Sequence, residues 1–244
     1  MCAGVGLAAG NTYFAALTER ARRLNARLTG HRFLFDSVAV GGSSLALDAP
    51  AVAAAREELE AISHEAARGW RELQFNASFQ DRLPDVGVLG PEDAEQLGTV
   101  GPAARAAGLA LDARSNAPRL AYTEFDPCLP ERPDGDVRTR LEQRALELRQ
   151  SLDILAQLLD RPITPSAASE ISERAPIGTG LVESARGATL CIIERNGERL
   201  DRVRLRTGSY ANWPTVAHAA AGNLLPDFPL INKSFELCYA CADR

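Results

Sequence analysis

Cys238 and Cys241 form the only closely spaced cysteine pair in the chain, and two intervening residues let both sulfurs turn toward one point. Such a pair suits a metal ion or a dithiol/disulfide couple. Phe228, Leu230, Ile231, Phe235 and Leu237 lead into it, so this segment is expected to be buried rather than frayed as chain ends commonly are. A second feature is Gly180-Leu-Val-Glu183-Ser-Ala-Arg186-Gly187, where an arginine followed by glycine in a turn would project a fixed cation. Taken alone, the pair has three readings. A structural zinc site needs four ligands, with Cys128, Cys191 or Cys2 completing it. A thioredoxin-type dithiol needs a helix N-terminus after a strand, and that context is missing. The third reading is two buried thiols holding nothing. No Ser/His/Asp set presents itself, since His31, His64 and His218 have no partner in sequence to orient them. Asp134 and Asp136 read as a helix start rather than as paired acids.

The elements that must position these groups are mostly helical. Phe14, Leu17, Ala21, Leu24 and Leu28 lie three and four apart, which predicts an amphipathic helix over 11–29 closed by Gly30. A second helix fits 50–75, with Val52, Ala55, Leu59, Ile62, Ala66 and Leu73 inward and His64 on the polar side. Pro91 and the acids after it start a short helix. In Gly101-Pro-Ala-Ala-Arg105-Ala-Ala-Gly108 the small residues allow close backbone packing. A loop runs from Asp112 to Pro133. A long helix over 136–160 carries Val137, Leu141, Leu148, Leu152, Leu155 and Leu159 on its inner stripe, and Pro162 and Pro165 end it. Over 188–207 the pattern becomes strand-like around Asn196-Gly197, a hairpin signal, with one face expected on the helices. Trp213-Pro214 is expected to start a last helix reaching about Gly222. The fold class is therefore mainly α with a small β-hairpin region, a helical bundle forming one domain over 1–244.

Composition narrows the functions available. The 244 residues carry a net charge of −5, and 26 of the 27 basic residues are arginines scattered over helices. No basic stripe for nucleic acid results. No stretch reaches the apolar length of a membrane span, and the odd count of five cysteines without a secretory leader suggests a reducing compartment. The early glycines Gly4, Gly6 and Gly10 match no nucleotide-binding fingerprint.

Several motifs occur in the order of a known family. Gly101-Pro-x-x-Arg105-Ala-x-Gly108 with Asp112-x-Arg114 resembles a segment of nickel–iron hydrogenase large subunits of the membrane-bound, complex I-related group. The D-type subunits of NADH-quinone oxidoreductase share that segment. Glu183-x-x-Arg186-Gly187 is similar to the family's Glu-Ala-Pro-Arg-Gly. Ser209-Tyr-Ala-Asn212-Trp-Pro214 and Asp227-x-Pro-Leu-Ile231 resemble its run into the terminal Cys-x-x-Cys-x-x-Arg, and Thr29-Gly30 and Gly41-Gly42 also fit. The resemblance implies that Cys238 and Cys241 are two of four thiolate ligands of a nickel–iron centre, that Arg186 stands over it as the catalytic cation, and that Arg244 occupies the family's terminal processing position. It implies an oxidoreductase subunit handling protons and hydrogen beside an iron–sulfur small subunit, with membrane-arm subunits indirect partners, on the cytoplasmic face of the cell membrane. The alternatives are a non-catalytic structural subunit of a complex I-like assembly and a quinone-module D-type subunit.

Departures from the family pattern qualify this. The family's first Cys-x-x-Cys pair has no counterpart, so only half the ligands are present, and the isolated chain is expected to bind no such centre. A separate chain carrying the missing N-terminal half is then an expected partner. The helices over 11–29, 50–75 and 136–160 are expected to expose apolar faces where that half would pack. Glu236-Leu237 replaces the family's Asp-Pro, and Ala185 replaces its proline.

Overall fold

The computed structural model describes residues 1–39, 42–43, 45–117, 122, 128–164 and 175–241. Gly41, Pro165 and Arg244 lie outside the described residues. After a 3-10 turn at Cys2–Val5 come α1 (Ala8–Thr29), the two-residue strands β1 (Val38–Ala39) and β2 (Gly42–Ser43), and α2 (Ala49–Gln74). Next are the short helices α3 (Ala77–Gln80), α4 (Pro91–Gln96), α5 (Pro102–Ala106) and α6 (Ala113–Asn116), then the long α7 (Val137–Leu158). Strands β3 (Ile177–Ser184), β4 (Gly187–Asn196) and β5 (Arg199–Arg206) precede α8 (Gly208–Ala220) and α9 (Phe228–Phe235). The architecture is mainly α with small antiparallel sheets.

Helices α1 and α2 pair because their apolar stripes face each other. Leu17 and Leu24 are buried from one side, and Ala55, Ile62, Ala66 and Leu73 from the other. Gly69 lets the helices approach, since a Cβ there would lie 2.5 Å from the ring of Tyr13. The expected boundaries hold to within three residues at each end. Gly30 closes α1 in the left-handed conformation at φ 80°, where a side chain would be strained. His64 is exposed.

On α7 the buried face differs from the predicted leucine stripe. Val137, Thr139, Arg140 and Gln143 are the buried residues, while Leu148 and Leu155 are each 44% exposed. Loop carbonyls crowd the first turns of this helix, and only donors can satisfy them. Arg140 donates to Ser234 Oγ at 2.8 Å, Gly135 O at 2.6 Å and Gly87 O at 2.9 Å. Its guanidinium also lies 4.3 Å from the ring centre of Phe235.

Strands β3, β4 and β5 form one antiparallel sheet in sequence order. The Asn-Gly signal marks the β4–β5 turn as expected, but β3 extends the predicted hairpin to three strands. The expectation that the second arm packs on the helices is not met, because every residue of β5 is exposed. β4 rests on α8, and β3 rests on the short α6. The last long helix also begins earlier than Trp213-Pro214. Thr207 Oγ1 accepts the Tyr210 N–H as the α8 N-cap, and Pro214 falls inside the helix.

The core gathers around α9. Leu230, Ile231, Phe235 and Leu237 pack with Leu73, Phe79, Leu83, Val137 and Val216, and Cys2 joins them. Each such side chain contributes roughly 1.5–3 kcal/mol on burial, so the segment before the cysteine pair is well anchored. Phe228 departs from the expected pattern, being 44% exposed at the start of the helix.

Candidate functional site

Three glycines bring the parts of the site together. Gly101 caps α5 with φ 70° and ψ −149°, a region essentially restricted to glycine. A Cβ on it would lie 2.4 Å from Gly187 Cα, and one on Gly208 would lie 2.6 Å from Arg186 O. Backbone therefore packs on backbone where the α5 loop, the β3–β4 turn and the start of α8 meet. Asn212, 1% exposed, locks the junction. Its Oδ1 accepts the Val100 N–H at 2.9 Å, and its Nδ2 donates to Val100 O at 3.0 Å and Arg186 O at 3.4 Å.

Arg186 occupies the two-residue turn Ala185-Arg186 between β3 and β4, and Ser184 Oγ donates across it to Gly187 O at 2.7 Å. The expected Arg-Gly turn is thus a hairpin turn. Arg186 reaches over the end of α9, where its Nε donates to the carbonyl of Glu236. Glu236 ends α9 in the left-handed conformation at φ 54°, which turns the chain sharply into Leu237 and Cys238. The Cys238 N–H then donates to the buried Ser209 Oγ at 3.0 Å.

The two cysteines face each other. The Cys238 thiol is pulled below its ordinary range, first by hydrogen bonding from the Cys241 side chain and backbone, then by the Ala240 N–H and the Arg186 charge, with burial opposing. Both residues are half-buried. The pair therefore follows a helix C-terminus, the reverse of the placement a thioredoxin-type dithiol requires. Among the described residues no group of three or more His, Cys, Asp or Glu side chains is arranged to hold a metal. Cys2, Cys128 and Cys191 do not complete a set with the pair. Cys2 sits in the core, Cys128 donates to Gln150 Oε1 at 3.0 Å, and Cys191 lies on β4.

Sequence reasoning missed the buried charge cluster behind this site. Arg105, fully buried, donates from Nε to Glu147 at 2.8 Å and from Nη1 to Glu183 at 3.1 Å and Leu111 O at 2.7 Å. Asp112 lies 3.1 Å from Arg105 and 2.6 Å from Arg114. Burial pushes the Glu183 carboxyl above the ordinary range, although the Ala113 N–H and Arg105 pull against it. Burial also acts on Asp112, but the hydrogen bonds from Arg114 outweigh it and hold that carboxyl low. Arg105, Asp112, Arg114 and Glu183 all fall within the family-like motifs. Glu147 does not; it accepts from Gln143 one turn back on α7 at 2.7 Å, but its arginine partner is distant in sequence. His218 likewise has a partner that sequence did not suggest, Asp93 at 3.2 Å, with both side chains half exposed.

The mainly helical frame that positions these residues has known counterparts. Over residues 4–177 the chain matches the family described as respiratory-chain NADH dehydrogenase, 49 Kd subunit, and it belongs to that family. It is 28% identical over 248 residues to formate hydrogenlyase subunit 5 of Escherichia coli (strain K12), covering 100% of this chain and 43% of that protein. It is 33% identical to the carbon monoxide-induced hydrogenase of Rhodospirillum rubrum, over 70% of this chain and 48% of the relative. With the D-type subunit of NADH-quinone oxidoreductase from Desulfotalea psychrophila it is 32% identical, over 69% and 47% of the two chains. One chain of the membrane-bound sulfane sulfur reductase, an archaeal respiratory membrane complex, matches with a TM-score of 0.89 at 28% identity, covering 100% of this chain and 69% of that one. The chain thus spans less than half the length of these three curated relatives.

Proposed function

We propose that the chain acts as the C-terminal portion of a hydrogenase large-subunit-like component in a complex I-related membrane assembly. In this reading it is an oxidoreductase subunit handling protons and hydrogen, with an iron–sulfur small subunit as its electron relay. The observation that carries the reading is the convergence of Arg186 with the cysteine pair: Arg186 donates to the carbonyl of Glu236, two residues before Cys238, and the Cys238 thiol bonds with Cys241. Paired soft thiolates suit nickel and iron. Two ligands do not make the four-thiolate set such a centre requires, and the described residues bring no third to the pair. The remaining thiolates must come from outside these residues, from a stretch corresponding to the part of the relatives that has no counterpart here. No described helix is long and apolar enough to cross a membrane; in this reading the chain is held at the inner face of the cell membrane by partner subunits.

The test is co-expression of the chain with its genomic neighbours and maturation factors, followed by metal analysis of the purified assembly. Nickel should co-purify and be lost with Cys241→Ser, while the cluster iron of the small subunit stays. An assembly free of nickel and inactive in hydrogen-dependent dye reduction would overturn the catalytic reading. That outcome would favour the second reading, a non-catalytic structural subunit of a complex I-like assembly.

A further inference from the structure

We infer that Arg144 is the positioning residue of this site, the side chain that fixes the Arg186 turn against the backbone entering Cys238. Its meaning for metal chemistry rests on the function proposed above, whereas its geometry does not. Arg144 lies on α7, outside every motif that the site contains, and its guanidinium reaches two separate segments. From one side it takes the end of α9, with Nη2 donating to Phe235 O at 2.7 Å and Nε to Ser234 O at 3.3 Å. From the other it takes the hairpin turn, with Nη1 donating to Ala185 O at 3.4 Å. The same Nη1 lies 3.5 Å from the Glu236 carboxylate.

The chemistry of these acceptors explains why an arginine is used. The last carbonyls of a helix have no partner within the helix, and those of α9 point toward α7. A planar fork with five N–H groups can hold two adjacent carbonyls and a third from another strand, whereas an ammonium group has no such fixed spread. Arg144 also has a cationic neighbour, since Arg186 donates to the next carbonyl along, that of Glu236. The Glu236 carboxylate lies beside Arg144 and offsets this like charge. On the opposite side of the junction α8 supplies a separate tie, through Ser209 to the Cys238 N–H and through Asn212 to Arg186 O. The entry to Cys238 is thus held from two sides. On the α7 side Arg140 also holds Ser234 and Phe235, but it is Arg144 that joins the end of α9 to the Ala185-Arg186 turn.

Hydrogen exchange by mass spectrometry on the full chain tests this, with Arg144→Met and Arg144→Lys compared against the parent. The methionine variant should exchange about tenfold faster or more in peptides covering 185–187 and 235–241. Peptides from α1 and α2 should keep their parental rates. Lysine, which keeps the charge without the fork, should give intermediate rates in the same two regions. The inference is overturned if both regions keep parental rates in the methionine variant, if exchange rises equally through α1 and α2, or if lysine restores parental behaviour in full. Cadmium titration of the unaltered chain, read by thiolate-to-metal absorption, tests the metal reading separately. Absence of a band requiring both cysteines would count against that reading and leave the exchange result standing.

Discussion

Glu183 stands three residues before Arg186, yet its carboxylate turns away from the cysteines into the charge cluster. There it accepts from Arg105 Nη1 and from the Ala113 N–H, each at 3.1 Å. With two arginines and three carboxylates, the cluster carries one more negative charge than positive if all are ionised. A buried excess of that kind favours keeping one carboxyl protonated, and Glu183 is the member that burial pushes up. The sign follows from linkage. A carboxyl whose folded pKa is raised contributes its full stability below the ordinary glutamate range, and that contribution is lost as pH rises through the native value. Glu183→Gln does not titrate. Its stability relative to the parent should therefore improve as pH is raised from the ordinary glutamate range to neutrality, measured as denaturation midpoints across a pH series. A relative stability that worsens with rising pH would refute the assignment. Asp112 works on the other limb, because its pKa is depressed and its contribution fades as pH falls below the ordinary aspartate range.

At the scale of elements, α7 is the spine from which the site is held. Its N-cap is Asp136, only 3% exposed. One carboxylate oxygen accepts from the Thr139 N–H and Oγ1, each at 2.8 Å, and the other accepts from the Asp85 N–H at 2.9 Å. Removing this acceptor strips a cap and strands a second backbone donor, so Asp136→Ala should cost roughly 2–3 kcal/mol. Asp136→Asn keeps one acceptor and should cost less. Both are read as urea midpoints at an unchanged slope, and a loss below about 1 kcal/mol for alanine would show that water replaces the carboxylate. The long helices and this cap were legible in the sequence, because periodicity and capping are local signals. β3 was not, since Ile177-Gly-Thr-Gly-Leu-Val gives no clean alternation and its turn, Ala185-Arg186, lacks the usual glycine signature. Pro214 suggested a helix start, but the helix is set six residues earlier by the Thr207 cap. Arg186 bonds the carbonyl of Glu236 beside Cys238, and Cys238 bonds with Cys241. The roles of Arg144 and Glu147 were invisible because the hairpin turn that Arg144 holds and the arginine that Glu147 pairs with come from distant parts of the chain.

At the scale of the molecule, the chain leaves much apolar surface uncovered. The expectation that all three long helices expose apolar faces holds only for α7, because α1 and α2 bury theirs on each other. The exposed residues lie elsewhere. Phe33, Phe35 and Val38 are 56%, 62% and 79% exposed in the segment after α1, and Leu224 and Leu225 are 73% and 85% exposed before α9. Leu148 and Leu155 add the outer half of α7, and Val182, Val203 and Leu205 add the sheet. Scattered exposed apolar residues are ordinary, but groups of them on several surfaces mark places where other polypeptides bind or where aggregation begins. A net charge of −5 offers modest protection against self-association. Purified alone, the chain should bind a hydrophobic dye such as ANS and lose solubility as its concentration is raised. Co-purified in its assembly, it should bind far less dye per chain. Near-native side-chain signals alongside that dye binding would separate uncovered surface from a molten state, which loses such signals. A sharply folding monomer that ignores the dye at every concentration would mean that these surfaces need no cover, and the case for a covering polypeptide would then rest on the two thiols alone.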